Sequence, residues 1–551
     1  MLPGCINRQQ RGRQTARPGS SQMHTVDLSA PLVLEDLIAV GRGEARAVLG
    51  ETGRARMERA RALVDASLAP DGPTRYGINT GFGALAEVRI PLAQVRALQI
   101  NLIRSHQTGV GDPLPREVVR IMTLLRAQVL ARGHSGVRPL IVDRLCAMLA
   151  AGVHPVIPSQ GSVGASGDLA PLAHLAAVLV GEGRAEFAGE VLPGAEAMAL
   201  ADIEPIELHA KEGLSLINGT QAMTAIATVA LERAERAIRA ADVAGALSVE
   251  SLLASVRPFD ARIQALRPYE GQARVAANLR AMTADSELVA SHAGCGKVQD
   301  AYSLRCMPQV HGAVREAFAH VRAVLSVEIN AVTDNPLILS DADGEVSPTS
   351  EIVSGGNFHG QPVAMVSDYA RIALTSLASM AERRVEQMLN PHLNTGLPAF
   401  LAHDSGLHSG LMIAQVTAAA LVSESKQLSM PASVDSIPSS ASREDHVSMG
   451  PIAARRFLEV AANVERVVAI ELLTACQAID ARGSLLPGTG CRAAWRRVRD
   501  DVAALAEDRP LSDDIEAIAV IIRTGALEAA VREAIGGGGD GLTADFGDGT
   551  V

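Results

Sequence analysis

Three long segments in the second half of the chain repeat apolar residues at steps of three and four, the spacing of one helix face. They are residues 361–390, 409–428 and 451–480, and all three are rich in alanine. In the first segment, the apolar positions predicted to share a face are Val366, Tyr369, Ala373, Leu377 and Met380. Several long, alanine-rich helices in succession predict a helical bundle with closely packed axes.

Composition supports a mainly α fold. Hydrophobic residues make up 48% of the chain but aromatic residues only 2%, which favours alanine-rich helices over strands. A chain of 551 residues is long enough for two or more domains. We expect disordered tails at residues 1–22 and 536–551, a smaller N-terminal domain over 23–218, and a central bundle with C-terminal helices over 219–535.

The N-terminal segment 1–22 contains arginine without acidic residues and lacks the apolar core of a signal peptide. A transit peptide is one interpretation; a disordered tail preceding a natural start at Met23 is the other. No apolar run is long enough to predict a membrane span. The six cysteines lack CxxC spacing, so we expect a reducing cytoplasm rather than a disulfide framework.

Charge and motif content argue against several classes of protein. The net charge is −11, and no Lys/Arg run stands beside aromatic residues, so nucleic acid is not an expected partner. The sequence has neither an HExxH motif nor clustered metal ligands, so we expect no metal. Only three lysines occur, and none has a phosphate cradle beside it, which disfavours pyridoxal phosphate. They are Lys211, Lys297 and Lys426.

The segment GSVGASGDLAPLAH (161–174) places Ala165-Ser166-Gly167 immediately before an apparent helix start. It lacks the lysine of a phosphate-binding loop, and it lacks the second glycine of a GxSxG nucleophile elbow. One interpretation is a turn in which Asp168 caps the following helix and Pro171 lies in its first turn. That cap leaves the three small residues unexplained.

Backbone chemistry is the other interpretation of this segment. Gly167 has no Cβ, so its amide nitrogen is free to approach the Ala165 carbonyl in a tight bend. Attack closes a five-membered ring, and loss of water from the ring and from Ser166 leaves an electrophilic exocyclic methylidene. A helix that begins near Asp168 would add positive potential beside this group.

The segment resembles the motif of the aromatic amino-acid ammonia-lyases, in which Ala-Ser-Gly cyclises to 4-methylidene-imidazol-5-one (MIO). The likeness extends from about residue 30 to about residue 525. Its further blocks are YGINTGFG (76–83), NLIRSHQTGVG (101–111), KEGLSLINGTQ (211–221), VQDAYSLRCMPQV (298–310), EINAVTDNPL (328–337), SGGNFHGQPVA (354–364) and EDHVSM (444–449). The resemblance implies an up-down bundle of the ammonia-lyase/fumarase-like type whose N-terminal domain carries the MIO loop. It also implies a homotetramer with active sites shared between subunits.

The resemblance also assigns roles to single residues. Tyr76 is the expected base for the β-proton, although a free phenol has a pKa near 10 and needs activation. Arg305 is expected to bind the substrate carboxylate through its guanidinium fork. The polar family positions around MIO and the substrate are Asn218, Gln299 and Tyr302. Gln299, Tyr302 and Arg305 would point broadly to one side of a helix.

Each of these residues also has a structural interpretation. Tyr76 would pack in a glycine-rich turn, Asn218 would cap a helix, and Arg305 would form a surface ion pair. Phe358 resembles the family's aromatic neighbour of the electrophile, and the alternative is a core phenylalanine.

Two positions bear on the substrate. His106 matches the histidine of the family branch that converts L-histidine to trans-urocanate and ammonia. Glu444 matches a glutamate that addresses the imidazole, and a carboxylate there favours the protonated ring. Ala301, Gln361, Ser442 and Arg443 depart from that branch, and Arg443 would either pair with Glu444 or point away. Alternatives are a tyrosine or phenylalanine lyase or 2,3-aminomutase that uses MIO, a non-catalytic binding or scaffold protein, and a fumarase-like lyase without MIO.

Overall fold

The computed structural model describes residues 23–69, 74–340 and 345–536, and helices dominate these ranges. The prediction of a mainly α bundle is therefore confirmed. Of the tails predicted for residues 1–22 and 536–551, all but Gly536 lie outside the described residues. Within the described ranges, no helix combines the length and apolar character needed to cross a bilayer.

The first part of the chain mixes short helices with small sheets. Its helices are α1 Leu34–Arg42, α2 Glu51–Ala66, α3 Val95–His106, α4 Arg116–Ala131, α5 Pro139–Ala151, α6 Leu169–Leu179, α7 Gly194–Leu200 and α8 Glu212–Ile217. Strands β1 His24–Asp27 and β2 Ala45–Val48 pair in parallel. Strands β3 Val110–Pro113 and β5 Pro158–Gln160 pair antiparallel, as do β4 His154–Pro155, β6 Arg184–Phe187 and β7 Glu190–Pro193 in a three-stranded sheet.

The second part contains the bundle and its peripheral helices. They are α9 Gln221–Ser251, α10 Ala261–Ala265, α11 Glu270–Met282, α12 Glu287–Ser291, α13 Tyr302–Arg305, α14 Met307–Glu328, α15 Gln361–Leu389, α16 Met412–Leu428, α17 Gly450–Ala481, α18 Thr489–Asp501, α19 Ser512–Thr524 and α20 Ala526–Ala534. A two-stranded ribbon, β8 Leu337–Ile338 and β9 Ile352–Val353, precedes α15. The three segments predicted as long helices correspond to α15, α16 and α17.

Helices α9, α15 and α17 form the centre of the bundle, and α17 packs along both of the others. Alanine permits this close approach because its side chain adds little thickness to a helix. The helices are also joined by a buried ion pair, in which the Arg384 guanidinium of α15 donates to both carboxylate oxygens of Glu471 on α17. The Ser248 hydroxyl of α9 donates to the same carboxylate.

The predicted face of α15 is wrong in one position. Tyr369 is 46% exposed and its ring lies edge-on to that of His320, whereas Leu377 is fully buried. The buried stripe includes Val366 and Leu377 as predicted, together with Ala370 and Leu374. Apolar spacing therefore located both the helix and, apart from Tyr369, the side of it that meets the core, since Ala373 and Met380 also pack against the core.

Helix α4 packs against α9, so the two halves of the chain share a continuous hydrophobic core. The boundary that we place at residue 218 stays a prediction. It has a local basis in the backbone, because Asn218 and Gly219 lie in the short connection between α8 and α9.

Candidate active site

The Ala165-Ser166-Gly167 segment forms a tight bend immediately before α6. Ser166 has a φ of 52° and Gly167 a φ of 78°, and the Gly167 nitrogen donates to the Gly164 carbonyl at 3.3 Å. A methyl group on Gly167 would overlap the carbonyl oxygen of Gly219, which lies directly against it. Only glycine therefore fits at position 167, for reasons of both backbone angle and space.

Asp168 occupies the capping position before α6, but its side chain does not cap that helix. The carboxylate instead accepts a hydrogen bond from the Met223 nitrogen at 2.9 Å, in the first turn of α9. The predicted local cap is therefore wrong, because the carboxyl group accepts from the N-terminus of a distant helix. Burial raises the pKa of Asp168 to about 7, against the lowering effect of the Met223 and Ala222 amides.

The bend opens into a cavity of about 580 Å³ whose lining joins segments distant in sequence. Of the predicted site residues, it contains Tyr76, His106, Ser166, Asn218, Phe358 and Glu444. Phe358 is half-buried at the cavity wall rather than in the core. Lining residues that the sequence did not indicate as functional include Phe82, Leu102, Asn335 and Ser440.

Tyr76 stands in the cavity beside Phe82, whose ring lies edge-on to it with centroids 6.4 Å apart. Its phenol oxygen accepts a long hydrogen bond of 3.5 Å from the Gly83 nitrogen. Burial raises the pKa of Tyr76, and the negative charge of Glu444 raises it further. Within one chain, the surroundings of Tyr76 therefore hold its phenol in the protonated form.

His106 ends α3, and its Nδ1 lies 2.9 Å from the Leu102 carbonyl oxygen. A carbonyl only accepts, so Nδ1 carries the proton in this contact and Nε2 stays available as an acceptor. Burial lowers the pKa of His106, against the raising effects of that hydrogen bond and of Glu444. The neutral ring is the form that this environment favours.

Glu444 is held by two hydroxyl groups. The Ser166 hydroxyl donates to its Oε1 at 3.0 Å, and the Ser439 hydroxyl donates to its Oε2 at 2.6 Å. Arg443 points away from this carboxylate, with its Nη2 3.9 Å from Glu87. Arg443 therefore leaves Glu444 to the serines, although it lines the same cavity.

Gln299, Tyr302 and Arg305 form a separate cluster. Arg305 donates to the Gln299 Oε1 at 2.9 Å, and its guanidinium lies 4.6 Å from the centre of the Tyr302 ring. Gln299 and Arg305 line a second cavity of about 790 Å³, which shares no lining residue with the first. Tyr302 is 69% exposed. Both Gln299 and Tyr302 contact Arg305, but the single helical turn α13 carries only Tyr302 and Arg305. One chain does not bring this cluster to Ser166.

Two buried arginines hold the segments that contain Tyr302 and Asn218, and the sequence patterns indicated neither arginine. Arg384 donates to the Ser303 carbonyl at 3.1 Å and so anchors the turn that carries Tyr302. Arg126 donates to the carbonyls of Ser215 and Asn218. The only sequence signal at Arg126 is a charged residue placed among the apolar residues of α4.

Metal ligands are not clustered in the described part of the chain: no group of three or more His, Cys, Asp or Glu side chains comes together there. Lys211 is fully buried, and its ammonium contacts Asp334 at 3.0 Å and the Ser215 hydroxyl at 2.7 Å. Its surroundings are those of a structural ion pair beneath the Asn218 segment.

Solved structures of high similarity identify the fold. The crystal structure of histidine ammonia-lyase from Trypanosoma cruzi matches with a TM-score of 0.85 at 42% identity, covering 93% of this chain and 96% of that one. The tyrosine aminomutase from Streptomyces globisporus matches with a TM-score of 0.85 at 37% identity, covering 93% and 99%. The fold is that of the helical ammonia-lyases and aminomutases.

Sequence comparison narrows this class further. The aromatic amino acid lyase family model matches residues 32–500. The histidine ammonia-lyase of Sorangium cellulosum is 56% identical over 513 residues, covering 92% of this chain and 99% of that protein. This chain belongs to the aromatic amino acid lyase family.

Proposed function

We propose that the protein deaminates L-histidine non-oxidatively to trans-urocanate and ammonia. The observation that carries this proposal is the meeting of Ser166, Tyr76, His106 and Glu444 in one cavity. The similarity to proteins named histidine ammonia-lyase, at 51–57% identity over most of the chain, supports histidine as the substrate.

The residues around Ser166 suit an MIO group made from Ala165-Ser166-Gly167. The positive φ angles bend the backbone as ring closure requires, and Gly219 leaves no space for a side chain at Gly167. Asn218 is buried, and its Oδ1 finds no hydrogen-bond donor in the part of the chain that the structure describes. When present, the MIO methylidene supplies an electrophile for the substrate amine.

Tyr76 is our candidate for the base that removes the β-proton. Tyr76 lines the same cavity as Ser166, which is the placement that this role requires. Because burial and Glu444 both raise its pKa, a positive charge from outside the single chain must favour the phenolate.

Glu444 and His106 are our candidates for recognition of the imidazole. Formation of MIO removes the Ser166 hydroxyl, and Oε1 of Glu444 then loses the donor that it has in the structure. That oxygen becomes free to accept from an imidazole N–H, while Ser439 keeps the other carboxylate oxygen in place. His106 offers Nε2 from a ring oriented by its contact with Leu102.

A homotetramer with shared active sites would complete the cavity. In such an assembly, the Gln299–Tyr302–Arg305 cluster of one subunit would face the Ser166 cavity of another. Arg305 would bind the substrate carboxylate with its guanidinium and supply the positive charge that Tyr76 lacks within its own chain. Asn218, Gln299, Tyr302 and Phe358 would orient the substrate and MIO.

The test is a substrate panel read by ultraviolet absorbance and product analysis. The wild type should form urocanate from L-histidine, and absence of urocanate would overturn the proposal. Ser166→Ala should still fold but lose activity by roughly 10³-fold or more, because it has no hydroxyl to eliminate. The intact mass of the wild type should be lower than the sequence mass by two waters, and that of Ser166→Ala should not show this pair of losses.

A tyrosine 2,3-aminomutase is the second candidate. The similarity to the Streptomyces globisporus enzyme and Gln361 in the NFHGQP block support it. Product analysis with L-tyrosine distinguishes the two candidates, since an aminomutase forms β-tyrosine by migration of the amine.

We place the protein in the cytoplasm. The cysteines within the described ranges are all free, and burial raises the pKa values of Cys146 and Cys476 to about 12. Such thiols are poorly reactive and suit a reducing compartment.

A further inference from the structure

Arg126 lies fully buried on α4, directly beneath the segment that faces Gly167. Its Nη1 donates to the Ser215 carbonyl at 2.9 Å and to the Asn218 carbonyl at 2.8 Å, and its Nη2 donates to the Thr333 carbonyl at 3.3 Å. One guanidinium therefore fixes three carbonyl groups of two separate segments.

These contacts continue to the Ser166 bend. Gly219, the residue after Asn218, accepts a hydrogen bond of 2.7 Å from the Asp168 nitrogen and forms a bridge with Gly167. A Cβ on Gly219 would come within 3.0 Å of the Arg126 Nη2, so the guanidinium packs against this residue directly. Arg126 thus connects to Gly167 through the neighbouring residues Asn218 and Gly219.

Burying this cation without an ion-pair contact carries a high cost. No ion pair involves Arg126 among the described residues, although Asp334 and Asp168 lie near enough to affect its pKa. Burial lowers its pKa to about 10, so the guanidinium stays charged at neutral pH. A full cation that bonds only to backbone carbonyls is unfavourable to bury, and what distinguishes Arg126 is that its carbonyl partners include Asn218, in the segment packed against Gly167.

We propose that Arg126 is a positioning residue for the backbone cyclisation of Ala165-Ser166-Gly167. This inference rests on the proposed function, because that function requires the cyclised group. It adds a residue outside the cavity, which acts through the Asn218–Gly219 segment rather than by contact with the reacting atoms.

The reaction is a cyclisation with two dehydrations and needs no co-reactant. The Gly167 nitrogen bonds to the Ala165 carbonyl carbon, and the carbonyl oxygen leaves as water with the N–H hydrogens of Gly167 and Ser166. The Ser166 hydroxyl and its α-hydrogen leave as the second water. Ring closure needs the Gly167 nitrogen held close to the Ala165 carbon, and the rate depends steeply on such positioning.

Arg120 provides a matched control on the same helix. It is also buried, and it donates to two backbone carbonyls, those of Val40 and Leu149. Neither carbonyl belongs to the segments around Ser166. The Arg120 variants therefore measure how much the loss of a buried arginine from α4 affects folding and dehydration by itself.

The experiment follows the loss of two waters by intact mass, together with circular dichroism, for Arg126→Met, Arg126→Lys, Arg120→Met and Arg120→Lys. We expect the folded Arg120 variants to dehydrate as the wild type does. Arg126→Met should dehydrate at least ten-fold more slowly, and Arg126→Lys should be slowed to an intermediate degree because an ammonium reaches fewer carbonyls. This comparison needs no activity assay.

Dehydration of folded Arg126→Met at the rate of Arg120→Met would overturn the inference. If Arg126→Met does not fold, equal rates in the two lysine variants would overturn it. A wild-type protein that keeps its full sequence mass would instead contradict the proposed function. The two failures are therefore distinguishable.

Discussion

The Asp168 carboxylate accepts a hydrogen bond of 2.9 Å from the backbone nitrogen of Met223. Asp168 directly follows Gly167, and Met223 lies in the first turn of a 31-residue helix of the bundle. The proposed catalytic bend is therefore attached to a long, largely buried helix of the bundle. The Asp168 nitrogen also donates to the Gly219 carbonyl at 2.7 Å, so the start of α9 and the residue before its cap both hold the bend.

Replacing Asp168 by asparagine should change how stability depends on pH. Burial raises the pKa of Asp168 to about 7, well above the value near 3.9 expected in the unfolded chain. The folded state then binds more protons between these values, so Asp168 makes the protein less stable as pH rises from about 4 to about 7. Asparagine does not titrate and removes this contribution.

Thermal unfolding midpoints of the wild type and Asp168→Asn, measured across this pH range, check the prediction. The variant should gain relative to the wild type as pH rises and level off above about pH 7. Parallel curves for the two proteins would show that Asp168 does not titrate in this window.

Gly167→Ala should be far more damaging than the same change at Gly189. Both glycines have positive φ, 78° and 89°, so alanine is strained at either position by about 1 kcal/mol. At Gly189 no atom lies within 4 Å of the added methyl, whereas at Gly167 the methyl overlaps the Gly219 carbonyl. The difference in stability between the two variants therefore measures the steric overlap with Gly219, separately from backbone strain.

We expect Gly189→Ala to keep the two-water deficit in mass, and to lose only about 1 kcal/mol of unfolding free energy. Gly167→Ala should lose roughly 3 kcal/mol or more, with the mass of an uncyclised chain. Normal dehydration in Gly167→Ala would mean that Gly219 moves aside easily.

The sequence predicted local features of this protein better than the contacts between distant segments. Helices α15 and α17 followed from apolar spacing, because that spacing reflects burial of one helix face. The partner of Asp168 did not follow from the sequence. A capping residue is normally paired with the helix that comes next, and only the three-dimensional packing shows that the side chain reaches Met223.

The same limit applies to the candidate site. Ser166, Tyr76 and Glu444 were identified because their motifs resemble those of a known family. Arg126 and Ser439 have no such motif, and their contacts with Asn218 and Glu444 depend on chain folding over long separations. The separation of Arg305 from Ser166 was equally invisible to spacing, since it depends on how distant segments of the chain pack.

Glu444→Gln should reduce kcat/KM for L-histidine by about 10- to 100-fold. The amide keeps one oxygen acceptor but loses the negative charge, and a hydrogen bond to a charged group contributes about 1.5–3 kcal/mol. The same change removes one cause of the raised pKa of Tyr76, so that pKa should fall. Steady-state kinetics across pH measures both effects.

Arg443→Gln is the neighbouring control for this charge change. Arg443 contacts only Glu87 at 3.9 Å among the ion pairs of the described residues, and both side chains are largely exposed. Exposed pairs of this kind contribute about 0–1 kcal/mol, so kcat/KM should change less than about five-fold. An effect as large as that of Glu444→Gln would show that Arg443 acts on the substrate.

His154→Gln should protect the protein against mild acid. Burial lowers the pKa of His154 to about 4, and the neighbouring Arg120 and Arg116 lower it further against the opposing effect of Glu186. In the unfolded chain the pKa returns to about 6.5. Between these values the unfolded state binds more protons, so His154 makes the protein less stable as pH falls from about 6.5 to about 4.

Glutamine does not titrate, and the unfolding midpoint of His154→Gln should therefore decline less than that of the wild type across this range. The effect is opposite in sign to that of Asp168, which makes the protein less stable as pH rises through much of the same window. A protein that carries both substitutions should therefore have an unfolding midpoint that depends less on pH than that of either single variant, provided that the two sites are independent. If His154→Gln follows the wild-type acid profile, the imidazole is already protonated in the folded protein, and the burial of β4 against β6 does not exclude its charge.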